Sequence, residues 1–313
     1  MCRHSNCDLH YTTNILTKPD LAAKCTEPFT PADPATGTPA SAKCCTSDIT
    51  LAEFKSLCAE MEATTLNAVS INASSPYFGR IGTTPDWRTN MYSYSCAETM
   101  SLKEQIEQVD AYGLNFTAEA KTPEVPMPFE GDYTQEDFVQ QIVDTFNDAD
   151  IDPSRVWLQS FLPADIYYWI DNTPEYGQQA VYLDERADTI PVVGYELAVA
   201  SLPGLAERGV KIIAPSIWQL VTADNATNEI VPSSYAIAAK EAGLEIITWS
   251  FERSGPLSIA GGGYYYSSIS NLIQNDGDEY KVIDVVAQKV GATKIFADWP
   301  SAITYYANCF GLK

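Results

Sequence analysis

The stretch Asn115-Phe-Thr-Ala-Glu-Ala-Lys121 is the first of six short β-prone runs that decide the fold of this 313-residue chain. Each run is rich in apolar and β-branched side chains, and helix-length segments separate the runs. The other five read Val156-Trp-Leu-Gln-Ser-Phe161, Gln179-Ala-Val-Tyr-Leu-Asp184, Val210-Lys-Ile-Ile-Ala-Pro215, Leu244-Glu-Ile-Ile-Thr-Trp-Ser-Phe251 and Lys294-Ile-Phe-Ala-Asp-Trp-Pro300. Strands that alternate with helices indicate βα units and a parallel sheet.

This alternation predicts an α/β fold of the TIM-type (β/α)8 barrel class that is incomplete, because a closed barrel has eight βα units. We therefore expect an open, curved sheet with the strand at Asn115 at one edge and the strand at Lys294 at the other. Unpaired edges of this kind favour aggregation or dimerisation. The helical patterns predict helices at about 101–112, 134–149, 163–171, 195–208, 232–242 and 280–290.

The chain is predicted to form one barrel domain, residues 1–313, with residues 17–100 as a cysteine-rich insertion. The insertion is rich in Thr, Pro, Ala, Ser and Cys and has one clear helical stretch, which starts at Thr50 with Ser47-Asp48 as its cap. Because long loops at the catalytic end of a barrel commonly shape a substrate cleft, we expect the insertion to cover the active-site face.

The net charge of the chain indicates which ligands are disfavoured. A formal net charge of −22 disfavours nucleic acid as a partner, since a phosphate backbone would be repelled. An anionic phosphate substrate would need compensation from a metal ion or from basic side chains in the pocket. The sequence contains no apolar run of about 18 residues that would predict a membrane-spanning helix.

The eight cysteines are unevenly distributed, with seven in the first 96 residues and Cys309 near the end. Their spacing and the presence of only two histidines disfavour zinc. Disulfides that staple a loop-rich region are the better interpretation, and they imply secretion into an oxidising compartment. We expect at least two disulfides among the seven, with Cys2–Cys7 as the favoured local pair.

Two further features bear on secretion. Sequons at Asn72, Asn115 and Asn225 would permit N-glycosylation of a secreted protein. Met1-Cys-Arg-His lacks the apolar segment of a signal peptide. The expectation is therefore that the natural start of the protein lies upstream of Met1.

Five motifs come in a set order along the chain. They are Asp8-Leu-His-Tyr-Thr-Thr13, Ala118-Glu-Ala-Lys-Thr-Pro123, Gln159-Ser-Phe161, Thr248-Trp-Ser-Phe251 and Ile295-Phe-Ala-Asp-Trp-Pro-Ser301. With these motifs the chain resembles the glycerophosphodiester phosphodiesterase family, in particular its secreted, cysteine-rich microbial branch. The resemblance covers essentially the whole chain. It implies a TIM barrel that hydrolyses glycerophosphodiesters, small molecules derived from phospholipids, to an alcohol and glycerol 3-phosphate.

The resemblance also implies roles for individual residues. His4 matches the second catalytic histidine, the general acid, although Ser5 stands where the family has Asp. Glu119 matches a ligand of a divalent cation, Mg²⁺ or Ca²⁺, in a strand where Ala120 replaces Leu. Four further side chains would contact substrate: Lys121, Gln159, Trp249 and Phe251. The first catalytic histidine and two further metal-binding carboxylates have no counterpart in this sequence and are expected upstream of Met1.

Alternatives remain open at the level of the sequence. Glu119 and Lys121 could form a structural ion pair, and Trp249 could be a packing residue. The chain could also be an inactive or truncated paralogue that acts as a non-catalytic binding protein. A third alternative is a related barrel, such as a sphingomyelinase D or a phosphatidylinositol-specific phospholipase C.

Overall fold

A computed structural model describes residues 7–59, 67–71, 96–189 and 193–312. The chain divides into two compact units. Unit 1 comprises residues 1–115 and 121–150, and unit 2 comprises residues 116–120 and 151–313. The prediction that residues 17–100 cover an active-site face stays a prediction.

Unit 1 consists of short elements. Its strands form two antiparallel pairs: β1 (Glu27–Thr30) with β2 (Ser41–Lys43), and β3 (Cys58–Ala59) with β4 (Ala97–Glu98). Its helices are α1 (Leu9–Thr12), α2 (Pro19–Ala22), α3 (Leu51–Lys55), α4 (Leu102–Ala111) and α5 (Gln135–Asp148). Helix α3 is shorter than predicted and is capped by the Thr50 side chain instead of Ser47-Asp48, because Thr50 and Glu53 form a reciprocal capping box.

Three disulfides pin unit 1, as the cysteine distribution predicted: Cys7–Cys45, Cys25–Cys44 and Cys58–Cys96. The predicted Cys2–Cys7 bond is wrong. Asp8 bridges Cys44 in a parallel direction, and the Leu9 amide donates to the Cys44 carbonyl at 3.1 Å. This pairing of distant segments places Cys7 beside Cys45. A small apolar core surrounds the second bond, made of Leu9, Ile15, Leu16, Leu21, Cys25, Cys44 and Leu57.

Unit 2 contains the six predicted parallel strands. They are β5 (Phe116–Ala120), β6 (Val156–Ser160), β7 (Val181–Asp184), β8 (Ile212–Pro215), β11 (Glu245–Thr248) and β12 (Lys294–Ile295). Their order across the sheet is β12-β11-β8-β7-β6-β5. The sheet is a curled half-barrel, which confirms the incomplete TIM-type fold. The first and last strands are its edges, as predicted.

The helices of unit 2 occupy the predicted positions between strands. They are α6 (Pro163–Asn172), α7 (Pro174–Gly177), α8 (Arg186–Thr189), α9 (Gly194–Glu207), α10 (Ile217–Leu220), α11 (Ser234–Glu241), α12 (Leu257–Ala260), α13 (Asp278–Asp284), which continues as a π-helical turn to Val290, and α14 (Ser301–Phe310). Helix α6 contacts β6 and β7, and α11 contacts β11 and α9. Trp169 of α6 and Tyr235 of α11 are fully buried. The described residues contain no helix long and apolar enough to cross a membrane.

In unit 2, as for the two strand pairs of unit 1, the sequence did not predict an antiparallel hairpin. Strands β9 (Val221–Asp224) and β10 (Glu229–Pro232) pair with each other outside the parallel sheet. Asp224 begins the turn, where its carboxylate accepts the amide of Ala226 at 2.8 Å. An Asp that bonds the backbone two residues on is a common way to form a turn.

Candidate functional site

Polar side chains gather where the parallel strands of unit 2 end. We call this end the carboxyl edge and define it by Ala120, Ser160, Asp184, Pro215 and Thr248, the last residues of β5 to β8 and β11. In α/β sheets and barrels, ligands bind at this end of the strands.

Glu119 and Gln159 lie side by side at the carboxyl edge. They are register partners in the pairing of β5 with β6, so their side chains leave the sheet on the same face. Glu119 is half-buried, and Gln159 is only 6% exposed. Oε1 of Gln159 has no hydrogen-bond partner among the described residues. A buried amide oxygen of this kind normally has a partner, which can be an ordered water, an ion or a ligand.

Asp184 ends β7 and is a fully buried carboxylate at the centre of an ionic network. Its Oδ1 accepts Nε of Arg186 at 2.7 Å, and its Oδ2 accepts a terminal guanidinium nitrogen of Arg186 at 2.6 Å and the Tyr235 hydroxyl at 2.5 Å. The bidentate geometry neutralises the carboxylate and fixes the start of α8. Burial first, and then the Asp184 charge, raise the pKa of Tyr235 well above its ordinary value, so this phenol stays a donor.

Gln219 and Ser216 extend this network towards β8. Nε2 of Gln219 donates to the Asp184 carbonyl at 2.9 Å and to Oγ of Ser216 at 3.2 Å. Gln219 is completely buried, and its Oε1 has no hydrogen-bond partner in the described part of the chain. Ser216 forms a parallel β-bridge with Trp249. This bridge extends the pairing of β8 with β11 by one residue beyond the ends of the two strands.

Two acidic side chains, Glu185 and Asp188, stand next to this buried network and reach solvent. Partial burial first, and then the carboxylates of Asp188, Asp184 and Glu119, raise the pKa of Glu185. Burial also raises the pKa of Asp188, although the Tyr264 hydroxyl donates to its Oδ2 at 2.6 Å. The carboxyl edge therefore carries closely spaced negative charge.

The predicted site residues do not all lie in the same part of the structure. His4 lies outside the described residues. Lys121 directly follows β5 and is half-buried, but it belongs to unit 1, whereas β5 belongs to unit 2. Glu119 and Gln159 are brought together. Their roles in metal and substrate binding stay predictions.

The two predicted aromatic contacts lie further inside unit 2. Trp249 is 8% exposed and donates through Nε1 to the Ala214 carbonyl at 2.8 Å. Phe251 is 1% exposed and packs edge-to-face against Tyr266 at 6.4 Å. Phe251 therefore contributes through core packing, because almost none of its ring is accessible. Substrate contact by Trp249 stays a prediction.

Sequence reasoning missed Arg186, Gln219 and Tyr264. The sequence did contain a signal for Arg186, because an Arg two residues after an Asp at a strand end suggests an ion pair. Gln219 and Tyr264 gave no comparable local signal, because their partners lie 35 and 76 positions away in the sequence.

His10 is the one histidine within the described residues, and it is structural. It is buried in α1 of unit 1, where its Nδ1 accepts the Cys44 amide at 3.3 Å. Across the same described residues, no group of three His, Cys, Asp or Glu side chains is arranged to hold a metal ion. Glu119 and Glu185 nevertheless supply oxygen donors and excess negative charge, which suits a hard cation.

A second group of carboxyls comes from three places in unit 2: Glu252 after β11, Glu279 in α13 and Asp298 after β12. Oε2 of Glu252 accepts the Asp298 amide at 3.0 Å, while Arg253 forms a bidentate pair with the Asp298 carboxylate. Burial first, and then the charges of Glu252 and Asp276, raise the pKa of Glu279 to about 7. Glu279 is therefore half-protonated near neutral pH.

This raised pKa predicts a pH-dependent stability. The folded state holds the Glu279 proton up to about pH 7, whereas the ordinary value is 4.5, so stability is highest below pH 4.5 and falls as the pH rises through 7. Because the side chain is partly solvated, we expect this rise in pH to lower the free energy of unfolding by only about 1–2 kcal/mol. Glu279→Gln should abolish that loss. Urea denaturation at pH 5 and pH 7.5 measures this. Glu241→Gln, at an exposed position on α11, is the matched control, and identical pH dependence in both variants would contradict the assignment.

Comparison with known proteins gives one similar sequence and several similar folds. No family model matches the sequence. An extracellular protein of Arthroderma benhamiae is 49% identical over 231 residues, which cover 73% of this chain and 93% of that protein.

The fold is similar to that of one solved protein described as a glycerophosphoryl diester phosphodiesterase, and a second protein described in this way has a lower similarity. The one from Silicibacter pomeroyi has a TM-score of 0.53 and 16% identity, over 87% of this chain and 72% of its own. The one from Agrobacterium tumefaciens has a TM-score of 0.46 and 17% identity, over 84% of this chain and 92% of its own.

Proposed function

Since the chain belongs to the same family as the extracellular protein of Arthroderma benhamiae and has the fold of a glycerophosphoryl diester phosphodiesterase, we propose that it is a secreted phosphodiester hydrolase. Its substrates would be glycerophosphodiesters, which are small molecules. Three disulfides support secretion, because such bonds persist in oxidising compartments.

The observation that carries the proposal is the pairing of Glu119 with Gln159 at the carboxyl edge. In the proposed reaction, a water oxygen adds to phosphorus and gives up one proton to solvent, while the bond from phosphorus to the alcohol oxygen breaks. The leaving alkoxide takes a proton, which gives the free alcohol and glycerol 3-phosphate. Gln159, held nine-tenths buried, would orient substrate through its carboxamide. His4 is proposed as the proton donor and Lys121 as a partner of the phosphate charge.

A divalent cation, Mg²⁺ or Ca²⁺, is proposed to bind at Glu119. The described residues do not complete a set of three metal-binding side chains, and the donors present are the carboxylates of Glu119 and Glu185 with the amide oxygen of Gln159. When bound, such an ion stabilises charge that develops on a phosphoryl group. Without a positive group nearby, the clustered carboxylates would repel a phosphodiester.

A second candidate function is non-catalytic binding of a lipid headgroup or similar small molecule. One observation favours it: His10, the histidine of the described residues, is committed to a buried hydrogen bond in unit 1. Unit 2 itself supplies carboxylates and amides at the carboxyl edge, and its sequence contains no histidine.

The two candidates differ in turnover. Incubation with glycerophosphocholine and either Mg²⁺ or Ca²⁺ should release glycerol 3-phosphate if the chain is a hydrolase. Glu119→Gln is then expected to lower kcat/KM on the order of 100-fold or more, because a charge-stabilising group is lost. It should also weaken the dependence of the rate on cation concentration.

The matched control is Glu207→Gln, which removes an exposed carboxylate on α9 of the same unit. Its kinetics should equal those of the unmodified protein. If the rate of Glu119→Gln depended on cation concentration as in the unmodified protein, Glu119 would not be a metal ligand. Saturable binding of glycerophosphocholine with no release of product would establish the second candidate instead.

A further inference from the structure

Unit 2 has a cavity of about 910 Å³ that is lined by none of the residues that define the carboxyl edge. Its walls come from the start of β10, from α13 with its π-helical continuation, from α14 and from residues 271–274. The π-helical turn contacts β10, and α13 contacts α14, so packing holds the walls together. A concave site of this size is suited to a small molecule.

Exposed aromatic side chains form one part of the cavity wall. Tyr305 is 63% exposed and meets Tyr280 edge-to-face, with ring centroids 6.1 Å apart. Phe310 is 56% exposed and stacks on the buried Tyr306, with centroids 4.5 Å apart and planes 25° from parallel. Because Tyr306 covers only one face of Phe310, the exposed area lies on the rest of that residue. Large apolar groups that are exposed together mark an interaction site.

Hydrogen bonds fix the Tyr306 ring that supports Phe310. The Tyr306 hydroxyl donates to Oδ1 of Asp284 at 2.7 Å and accepts Nε2 of Gln288 at 2.5 Å. The same Nε2 lies 2.9 Å from Oδ1 of Asp284. Both bonds to Asp284 go to Oδ1, which leaves Oδ2 of this half-buried, cavity-lining carboxylate as the oxygen that can accept a ligand hydroxyl. The aromatic wall and this acceptor are therefore held in place before a ligand binds.

The charged side chains that line the cavity are two of each sign. Glu229 and Asp284 are negative, and Lys281 and Lys289 are positive. Lys281 also pairs with the buried Asp278 at 2.6 Å. The cavity thus lacks the strong excess of negative charge of the whole chain, which is −22. Mixed charges of this kind give neither a cation nor an anion a clear electrostatic advantage, so they favour a neutral ligand.

Three carboxamides complete the polar part of the wall: Asn228, Asn271 and Gln274. A carboxamide both donates and accepts hydrogen bonds, as a hydroxyl group does. The cavity therefore matches a neutral ligand that has many hydroxyls and at least one apolar face.

From this arrangement we infer that the cavity binds a neutral oligosaccharide of pyranose rings, with one ring packed on Phe310 and Tyr305 and its hydroxyls bonded to Asp284 and the carboxamides. In glucopyranose the axial C–H bonds form apolar faces and the hydroxyls lie at the rim. Aromatic side chains pack against such faces, and polar side chains bond the rim. The inference concerns a different cavity and a different class of ligand from either proposed function, and it is independent of both.

A second copy of the chain is the competing occupant, because exposed aromatic side chains are also common at protein interfaces. Two copies related by a two-fold axis must present a self-complementary surface to each other. A cavity that faces its own copy would stay largely empty, since neither copy supplies a projection to fill it. The net charge of −22 on each copy also opposes association. These two arguments favour the sugar.

The test is isothermal titration of the full chain with cellohexaose, a neutral chain of glucopyranose rings, and with sorbitol, which has hydroxyls but no ring. We expect saturable binding of cellohexaose and binding of sorbitol at least about tenfold weaker, because only the sugar ring packs on the aromatic wall. Equal affinity for the two probes, or no saturable binding of cellohexaose, would overturn the inference. A dimer in light scattering that Phe310→Ala converts to a monomer would assign the cavity to a second copy instead.

Variants assign the binding site. Phe310→Ala and Tyr305→Ala should each weaken cellohexaose binding by about fivefold to tenfold, whereas Phe310→Tyr, which keeps an aromatic ring, should largely preserve it. The matched control is Tyr112→Ala, which removes a 70% exposed ring from unit 1 and should have no effect. Unchanged affinity in both alanine variants of the cavity would place the sugar elsewhere and reject the site.

The exposed thiol of Cys309 provides a measurement that needs no variant, because it lines the same cavity. Saturating cellohexaose should slow alkylation of Cys309 by N-ethylmaleimide severalfold in the unreduced protein, and sorbitol should not. Mass spectrometry of the peptide that contains Cys309 reports this one thiol. An alkylation rate that cellohexaose leaves unchanged would exclude the cavity as the place where the sugar binds.

Discussion

Asp184→Asn is expected to lower the free energy of unfolding by about 3 kcal/mol or more, because it leaves the Arg186 guanidinium without its charged partner. The carboxylate is completely buried, and the guanidinium side chain is 28% exposed. Tyr235 would lose its charged acceptor in the same step. Urea denaturation followed by circular dichroism measures the change.

A surface ion pair of the same composition provides the control for Asp184→Asn. Arg208 and Asp171 also form a two-point contact, but both side chains are largely exposed. Asp171→Asn should therefore cost less than about 1 kcal/mol. Equal losses in the two variants would show that the Asp184 network is no more important to stability than a surface pair.

The double substitution of Cys25 and Cys44 by alanine should destabilise unit 1 by about 3 kcal/mol, the value for closing a loop of this size. The two cysteines are 19 positions apart, and both are buried in the small apolar core of this unit. The cluster around this bond has only seven buried side chains, so locally there is little apolar burial with which to offset the greater freedom of the unlinked chain.

The exposed thiol of Cys309 is the matched control for this bond. Cys309→Ala should change stability by less than about 0.5 kcal/mol, since a surface substitution breaks no cross-link. Denaturation of the oxidised proteins without reductant measures both effects. A double variant as stable as the Cys309→Ala protein would mean that the Cys25–Cys44 bond does not constrain the unfolded chain.

The placement of Tyr264 changes the interpretation of the Gly261-Gly-Gly-Tyr-Tyr-Tyr266 segment. Three consecutive glycines are typical of a flexible loop, and the segment lacks the lysine that a phosphate-binding loop would carry. In the structure, Tyr265 and Tyr266 are buried and Tyr264 alone of the three is exposed. Three adjacent tyrosines thus have different roles, which depend on which ring faces the strand ends.

The charge of the carboxyl edge bears directly on the proposed reaction. Burial first, and then the carboxylates of Asp188, Asp184 and Glu119, raise the pKa of Glu185, and a phosphodiester would add further negative charge. A bound divalent cation would offset this repulsion. The net charge of −22 acts in the same direction, although salt screens its long-range part.

The sequence by itself determined the elements of the sheet and their direction. The run Phe116–Ala120 is a strand and the pattern over Gln135–Asp148 is a helix because side-chain periodicity is a local property of the chain. Alternation of strand and helix then required parallel pairing, and the edge positions of β5 and β12 follow from sequential order.

Only the tertiary structure decided which distant side chains meet. The pairing of Cys7 with Cys45 depends on the bridge between Asp8 and Cys44, and several pairings are compatible with the same cysteine spacing. Asp184 and Tyr235 are 51 positions apart, and Asp188 and Tyr264 are 76 apart. Contacts at such separations depend on how strands and loops pack in three dimensions, which local periodicity does not specify.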